Sequence, residues 1–237
     1  MAERTDNHPS PVAGGPQGAE PAPFIFPPWT NRIRLLPPVL LAGAGLYAVA
    51  IFAFGAVPET TDVGYCPQQP VAYSHALHTG RLGLDCRYCH STVEQAGHAA
   101  VPPTQTCMNC HAKIRAESPK LAIIRDSFKS GRPVEWIRVH DLPDYVYFDH
   151  SAHVRRGVGC VSCHGRVDQM ETVAQVKPLS MGWCLDCHRN PERHLRRVED
   201  VTRMDPELPP DKQLQIGRQL LKEYGIHPST DCSTCHR

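Results

Sequence analysis

Five copies of the pattern Cys-x-x-Cys-His constrain this chain more than any other feature. They occupy residues 86–90, 107–111, 160–164, 184–188 and 232–236. The pattern is the attachment signature of c-type haem. Its two thiols are spaced to bind the vinyl groups of one porphyrin, and the histidine that follows can reach the iron. The sequence therefore predicts five covalently bound haem c groups.

In this interpretation the ten motif cysteines form thioethers and the five motif histidines are proximal iron ligands. The cysteines are Cys86, Cys89, Cys107, Cys110, Cys160, Cys163, Cys184, Cys187, Cys232 and Cys235. The histidines are His90, His111, His164, His188 and His236. Zinc sites and disulfides also use Cys-x-x-Cys pairs, but neither requires a histidine at the next position. Cys66 lies outside the motifs and is predicted to be a buried, inert thiol.

A His-x-x-His pair precedes two of the motifs, and each haem iron needs a sixth ligand. The pairs are His75 with His78 and His150 with His153, about 75 residues apart in an internal repeat. Residues i and i+3 project from the same side of a helical turn, so one pair could serve two neighbouring haems. The repeat predicts two di-haem modules, residues 71–111 and 147–188, and a fifth haem at residues 226–237.

Other side chains are weaker candidates for the remaining sixth position. His140 and His194 lie close to haem-bearing stretches and are candidate ligands. His98 and His227 are explained equally well as surface groups. A methionine would raise the potential of its haem relative to a second imidazole. The candidates of this type are Met170 and Met181.

The N-terminal part of the chain has a different composition. Residues 1–34 form a Pro- and Gly-rich tail that cannot bury enough apolar surface to fold. Residues 35–57 carry no charge, and as a helix they match the ~30 Å hydrocarbon core of a bilayer. Arg32 and Arg34 precede this run, so the positive-inside rule predicts a cytoplasmic tail and a periplasmic domain over residues 58–237. A signal peptide is the alternative, although its apolar region is usually only ~7–15 residues.

Composition and local patterns complete the predicted fold. Lys and Arg number 25 against 24 Asp and Glu, and haem propionates add negative charge, which argues against a nucleic-acid partner. From Cys66 onward there are roughly 34 residues per motif, too few for a thick core. We predict a multihaem cytochrome c fold, mostly irregular with short α-helices around five haems, plus one N-terminal transmembrane helix.

Three connecting segments show patterns of their own. A short helix is predicted over residues 118–130, and extended pieces over residues 133–148. A second helix is predicted over residues 211–224, ending at Gly225. The residues expected near one face of that helix are Leu214, Leu220, Leu221 and Tyr224.

Two longer stretches carry a family resemblance. They read VHDLPDYVYFDHSAHVRRGVGCVSCHG and PLSMGWCLDCHRNPERH. Together with the anchor and the five motifs, they resemble the pentahaem cytochrome c subunits of alternative complex III, which are class III-like multihaem cytochromes. The resemblance covers roughly residues 32–237. It implies a membrane complex that oxidises quinol and delivers electrons to a soluble cytochrome c or a terminal oxidase. It also implies four distal iron ligands, His75, His78, His150 and His153.

Three classes of function fit these features. The favoured one is an electron relay inside a quinol-oxidising respiratory or photosynthetic complex. The second is a free-standing, membrane-anchored quinol dehydrogenase of periplasmic nitrate or nitrite pathways. The third is a multihaem enzyme, which would need a haem with an open distal face. One helix cannot enclose a quinone pocket, so the chain is not expected to be catalytic alone.

Overall fold

The computed structural model of the chain describes residues 26–204 and 208–237. The chain divides between Ala50 and Ile51 into two compact units. Most of the predicted cytoplasmic tail, residues 1–25, lies outside the described residues.

The first unit contains the helices α1 (Thr30–Ile33) and α2 (Leu36–Ala50). Pro37 and Pro38 fit the first turn of α2, where a backbone N–H has no intrahelical partner. None of the residues of α2 is buried. Helical structure runs over 26 residues, Thr30–Gly55, the one segment in the described chain long and apolar enough to cross a membrane. Length and composition alone support this, and a signal sequence would pass the same test.

The second unit consists of short helices joined by irregular segments. Its α-helices are α3 (Pro58–Thr61), α4 (Cys86–Cys89), α5 (Thr104–His111), α6 (Ala122–Ser130), α7 (His150–Val154), α8 (Val161–His164), α9 (Met181–Arg189), α10 (Pro210–Glu223) and α11 (Cys232–Cys235). Wider π-type turns lie at Ile51–Gly55 and Ala76–Arg81. Tighter 3₁₀ turns lie at Pro119–Leu121, Val167–Gln169, Pro191–Arg193 and Val198–Asp200. The residues described contain no β-strand, and isolated bridges join Val146 to His236 and Val158 to Leu195.

Both predicted helices of this unit are present. The 3₁₀ turn at Pro119–Leu121 and α6 together cover the first, which ends at Gly131 in the left-handed conformation, with φ of 71°. The second is α10, which matches its predicted bounds to within one residue. Its buried residues are Gly217 and Leu220. Of the four residues predicted near one face of this helix, Leu220, Leu221 and Tyr224 join the core cluster, and Leu214 is half-buried outside it.

The segment of residues 133–148, predicted to hold extended pieces, forms no β-strand. Its one ladder contact is the bridge at Val146. Pro133 and Pro143 lack the N–H that a strand needs, and no neighbouring strand in the described chain offers a partner.

The apolar core of the second unit is small, as the number of residues per motif predicts. The buried apolar side chains among the described residues are Val71, Ile124, Val154, Leu195, Val201, Met204, Leu220 and Ile226. Leu195, Leu220 and Ile226 form one cluster, which α10 closes from one side. A Cβ at Gly217 would overlap the carbonyl oxygen of Glu192, so α10 approaches the Pro191–Arg193 turn too closely for any larger residue.

The two segments of the sequence repeat interlock within this unit. The backbone N–H of His150 in the second segment donates to the carbonyl of Gly97 in the first, at 3.1 Å. In the other direction, the N–H of Ala76 donates to the carbonyl of Met170, at 3.0 Å. These contacts place the Cys-x-x-Cys-His motifs of both segments in one packed structure.

Candidate haem-binding sites

Each Cys-x-x-Cys-His motif forms about one turn of helix. The motifs make up α4 and α11, close the longer helices α5 and α9, and in the third copy begin at Cys160, directly before α8. Residues i and i+3 lie on the same side of a helix, so both thiols of a motif face the same way. No disulfide joins any two of the eleven cysteines. The ten motif thiols are thus arranged in pairs that could each bond one porphyrin.

Three motif histidines face a second imidazole ring. The ring centroids are 6.2 Å apart for His78 and His111, 6.4 Å for His150 and His164, and 6.1 Å for His153 and His188. A metal–imidazole bond is about 2 Å long and the nitrogen lies roughly 1.1 Å from its ring centre, so imidazoles on opposite sides of one metal ion are about 6.3 Å apart. The three separations fit one iron held between each pair.

Backbone carbonyl oxygens orient these imidazole rings. The Nδ1 atoms of seven histidines lie within hydrogen-bond distance of a carbonyl. The pairs are His78 with Ser74 (2.8 Å), His90 with Ala100 (2.8 Å), His111 with Ile114 (2.9 Å), His150 with Gly97 (2.9 Å), His153 with Asp149 (2.7 Å), His188 with Ser229 (2.6 Å) and His236 with Tyr145 (3.3 Å). A carbonyl oxygen only accepts, so Nδ1 carries the proton and Nε2 keeps its lone pair for a metal.

Burial keeps several of these imidazoles neutral. Burial, with His140 and His150 close by, lowers the pKa of His164 to about 3. Burial likewise lowers the pKa of His75 to about 4 and lowers the pKa of His153. The neutral imidazole is the form that binds iron, so these rings can act as ligands at neutral pH.

One aromatic ring positions each His-x-x-His pair. Tyr73 stacks on His78 with centroids 4.4 Å apart and meets His75 edge-on at 4.8 Å. Phe148 does the same in the second segment, 4.6 Å from His153 and 4.8 Å from His150. The interplanar angles also correspond, at 21° and 85° for Tyr73 and 29° and 86° for Phe148. The repeat seen in the sequence is therefore repeated in the ring geometry.

The weaker candidates have different surroundings. His140 meets His164 edge-on at 4.4 Å, which is too close for an iron between the two rings. The Nε2 atom of His140 is buried without a hydrogen-bond partner. The carbonyl of His194 accepts a hydrogen bond from the N–H of Gly159, and the role of its ring as a ligand stays a prediction. At the fifth motif, His236 is stacked with Tyr145 at 5.9 Å.

The prediction for Cys66 is wrong. Its side chain is exposed, not buried, and the thiol lies 3.9 Å from the carbonyl of Thr172. The residue belongs to an irregular surface segment that precedes the first His-x-x-His pair. A cysteine favours burial on average, and Cys66 is an exception to that preference.

Comparison with known proteins agrees with this geometry. Residues 146–237 match the family described as cytochrome c7 and related cytochrome c. They contain three of the five motifs and the pair His150 and His153. This part of the chain is therefore similar to multihaem cytochromes c, a similarity that implies covalently bound haem c as the cofactor.

A curated relative has a sequence similar to part of this chain. It is the multihaem cytochrome c subunit of a menaquinone reductase from Nitratidesulfovibrio vulgaris. The two are 34% identical over 121 residues, which cover 51% of this chain and 56% of the relative. The chain therefore spans about half the length of that relative.

Proposed function

We propose that this chain is a membrane-anchored pentahaem c-type cytochrome that relays electrons within a quinol-oxidising complex of the alternative complex III type, to a cytochrome c or a terminal oxidase. The observation that carries the proposal is the set of three imidazole pairs, each with a separation that suits an iron between two histidines. Haem supplies one-electron chemistry between ferrous and ferric iron. The chain holds each porphyrin and fixes its axial nitrogens, which suits electron transfer rather than binding of a substrate.

The proposed roles follow the geometry residue by residue. The ten motif cysteines form thioethers, and the five motif histidines are proximal ligands. His78, His150 and His153 are the distal ligands opposite His111, His164 and His188, respectively. His75 takes the same role opposite His90, because it is the repeat equivalent of His150 and lies within electrostatic reach of His90. For the fifth haem, opposite His236, the candidate distal ligands are His140 and His194.

The membrane part of the proposal rests on the segment Thr30–Gly55. We place its N-terminal end in the cytoplasm and the haem domain in the periplasm, because Arg32 and Arg34 lie on the N-terminal side. Protease added to intact spheroplasts should digest the haem domain. Protection of that domain would reverse the orientation. Helix α2 carries no ionisable side chain to accept the protons of a quinol, so other subunits must supply the quinone site.

A second candidate function runs in the opposite direction. The relative from Nitratidesulfovibrio vulgaris is a subunit of a menaquinone reductase. A series of haems conducts either way, so this chain could instead deliver electrons from a periplasmic donor to a quinone-reducing partner. The redox direction of the intact complex separates the two candidates.

The deciding experiment uses the holoprotein purified in mild detergent, with and without its partner subunits. We expect the mass of the chain to include five haems, and the complex to oxidise quinol while the isolated chain does not. Replacing Cys160 and Cys163 together by alanine should abolish turnover of the complex. Cys66→Ala is the matched control and should leave it unchanged. Steady quinol oxidation by the isolated chain would instead identify a free-standing dehydrogenase, and quinone reduction by the complex would identify the second candidate.

A further inference from the structure

We propose that the five haem-attachment sites form one unbranched spatial series in the order second, first, third, fourth and fifth motif. This inference rests on the proposed relay function and adds the route to it. The series differs from the order along the chain at one junction. The third motif adjoins the first motif, and the second motif forms one end of the series.

The first and third motifs meet at one turn of the chain. The Cys86 sulfur is 3.9 Å from the carbonyl of Thr202, and the N–H of Cys160 donates to the carbonyl of Val201 at 2.9 Å. The attachment cysteines of these two motifs are therefore neighbours.

The iron-binding sides of these two motifs are close as well. The electrostatic environment of His164, the third proximal histidine, includes His75 and His90 of the first haem site. One loop holds both His90 and His150. The carbonyl of Ala100 accepts a hydrogen bond from Nδ1 of His90, and the carbonyl of Gly97 accepts one from Nδ1 of His150. Two independent sets of contacts, at the thiols and at the imidazoles, thus join the first site to the third.

The second motif adjoins the first. The thiol of Cys89 lies within electrostatic reach of Cys107 and Cys110. Tyr73 spans the same junction, since its ring contacts both His75 and His78, and His78 faces His111 of the second motif. The side-chain amide of Asn109 in the second motif also donates to the hydroxyl of Tyr88 in the first, at 3.2 Å.

The third, fourth and fifth motifs follow in turn. Helix α7 joins the third site to the fourth, because it carries both His150, which faces His164, and His153, which faces His188. The Cys184 thiol of the fourth motif lies close to Cys235 of the fifth. The fifth motif is also fastened beside the fourth, because Nδ1 of His188 donates to the carbonyl of Ser229, three residues before Cys232.

Exposure of the thiols marks the same two ends. Among the ten motif cysteines, Cys110 of the second motif and Cys232 of the fifth are exposed, and the other eight are half-buried. Electrons therefore enter at one of these motifs and leave at the other. With haem bound, the motifs would hold neighbouring irons for one-electron transfer from one to the next.

The test compares two four-haem variants of the full-length holoprotein in detergent. Cys86→Ala with Cys89→Ala removes the first haem, and Cys107→Ala with Cys110→Ala removes the second. A redox titration followed by the NMR signals of the haem methyl groups reports the potential of the third haem. Electrostatic coupling falls with distance, so removal of the first haem should shift that potential at least about twofold more than removal of the second. A larger shift on removal of the second haem would overturn the series.

A second pair of variants keeps all five haems. His75→Met and His78→Met change the ligand of the first and the second haem, and the third haem should respond more strongly to the first substitution. An equal or reversed response would overturn the order. A failure of the proposed relay function would look different. The potential shifts between haems would still follow the series, but the complex would show no quinone-linked turnover. Turnover with strong coupling between the second and third haems would reject the order alone.

Discussion

The first segment of the repeat, residues 71–111, and the second, residues 147–188, hold their histidine pairs in nearly the same ring geometry but fasten them differently. In the second segment, Nδ1 of His150 donates to the carbonyl of Gly97, more than 50 residues away. The equivalent atom of His75 is buried and has no hydrogen-bond partner. Metal-binding histidines depend on such partners for their orientation. The imidazole of His150 is therefore held more firmly than that of His75.

The proximal histidines show the same contrast. His111 of the first segment donates to Ile114, three residues further along the chain. His188 of the second segment donates to Ser229, which belongs to the C-terminal segment. The rings of His150 and His188 are thus held by distant parts of the chain, whereas those of His111, His78 and His153 are held locally. The two segments therefore share the geometry of their ligand rings but differ in the hydrogen bonds that hold those rings.

The largest expected effect comes from removing equivalent distal histidines. His78→Ala and His153→Ala should each convert one low-spin haem into a high-spin haem that binds carbon monoxide, at about one ligand per protein. The visible spectrum and a carbon monoxide titration measure this. His98→Ala is the control, because its ring is not assigned to a haem. An unchanged spectrum in either ligand variant would break the equivalence of the two segments.

The next effect comes from equivalent glycines before the first motif of each segment. Gly83 and Gly157 both adopt positive φ, at 70° and 80°. A Cβ at Gly83 would meet open space, whereas a Cβ at Gly157 would overlap the carbonyl oxygen of Arg196. Gly83→Ala should therefore cost about 1 kcal/mol of backbone strain.

Gly157→Ala should lower the free energy of unfolding by roughly a further 1–3 kcal/mol, because the new Cβ overlaps the carbonyl oxygen of Arg196. Thermal unfolding of the two holoprotein variants, followed by haem absorbance, gives the comparison. Equal melting temperatures would show that the contact with Arg196 relaxes without cost.

The smallest effect concerns the residue directly before those motifs, Asp85 in the first segment and Gly159 in the second. Asp85 accepts hydrogen bonds from the N–H of Arg87 at 2.8 Å and from the hydroxyl of Thr202 at 2.8 Å. Hydrogen bonds from the Arg87 side chain are the main cause that lowers the pKa of Asp85 to about 2. Asp85→Ala should cost about 1 kcal/mol through loss of the helix cap.

The pH dependence of that cost has a defined sign. A lowered pKa means that the carboxylate stabilises the fold above the ordinary value of 3.8, and that this contribution is lost as the pH falls through about 2. The difference in unfolding free energy between the protein and its D85A variant should therefore shrink from pH 4 to pH 2, roughly. The ion pair with Arg87 is half exposed and adds little. A difference that grows on acidification would contradict this account.

Much of this structure could be predicted from the sequence, and the exceptions share a cause. The motif spacing and the His-x-x-His pairs indicated which imidazoles can face each other, and the structure brings three of the four expected distal histidines opposite a motif histidine. The bounds of α6 and α10 followed from caps and periodicity. These features are local, so residue types a few positions apart are sufficient to predict them.

The missed features depend on contacts between distant segments. The carbonyl partners of His150 and His188 could not be predicted, because a backbone acceptor has no residue-type signature. The contacts that select the buried residues of α10 are of the same kind. The position of the Pro191–Arg193 turn, which requires Gly217, decides which residues of the helix are covered. The exposed position of Cys66 also has no signal in its residue type.

The small apolar core described above also has a consequence for how the cell makes this protein. Leu195 and Val201 are its largest fully buried side chains, so the polypeptide alone has little that could hold it together. A group bound only in the native state adds its binding energy to folding. Maturation enzymes must therefore act on an unfolded substrate, and each porphyrin they attach completes part of the fold. A chain that has not received haem stays unfolded and is cleaved by proteases, so the haem supply sets the amount of this protein in the cell.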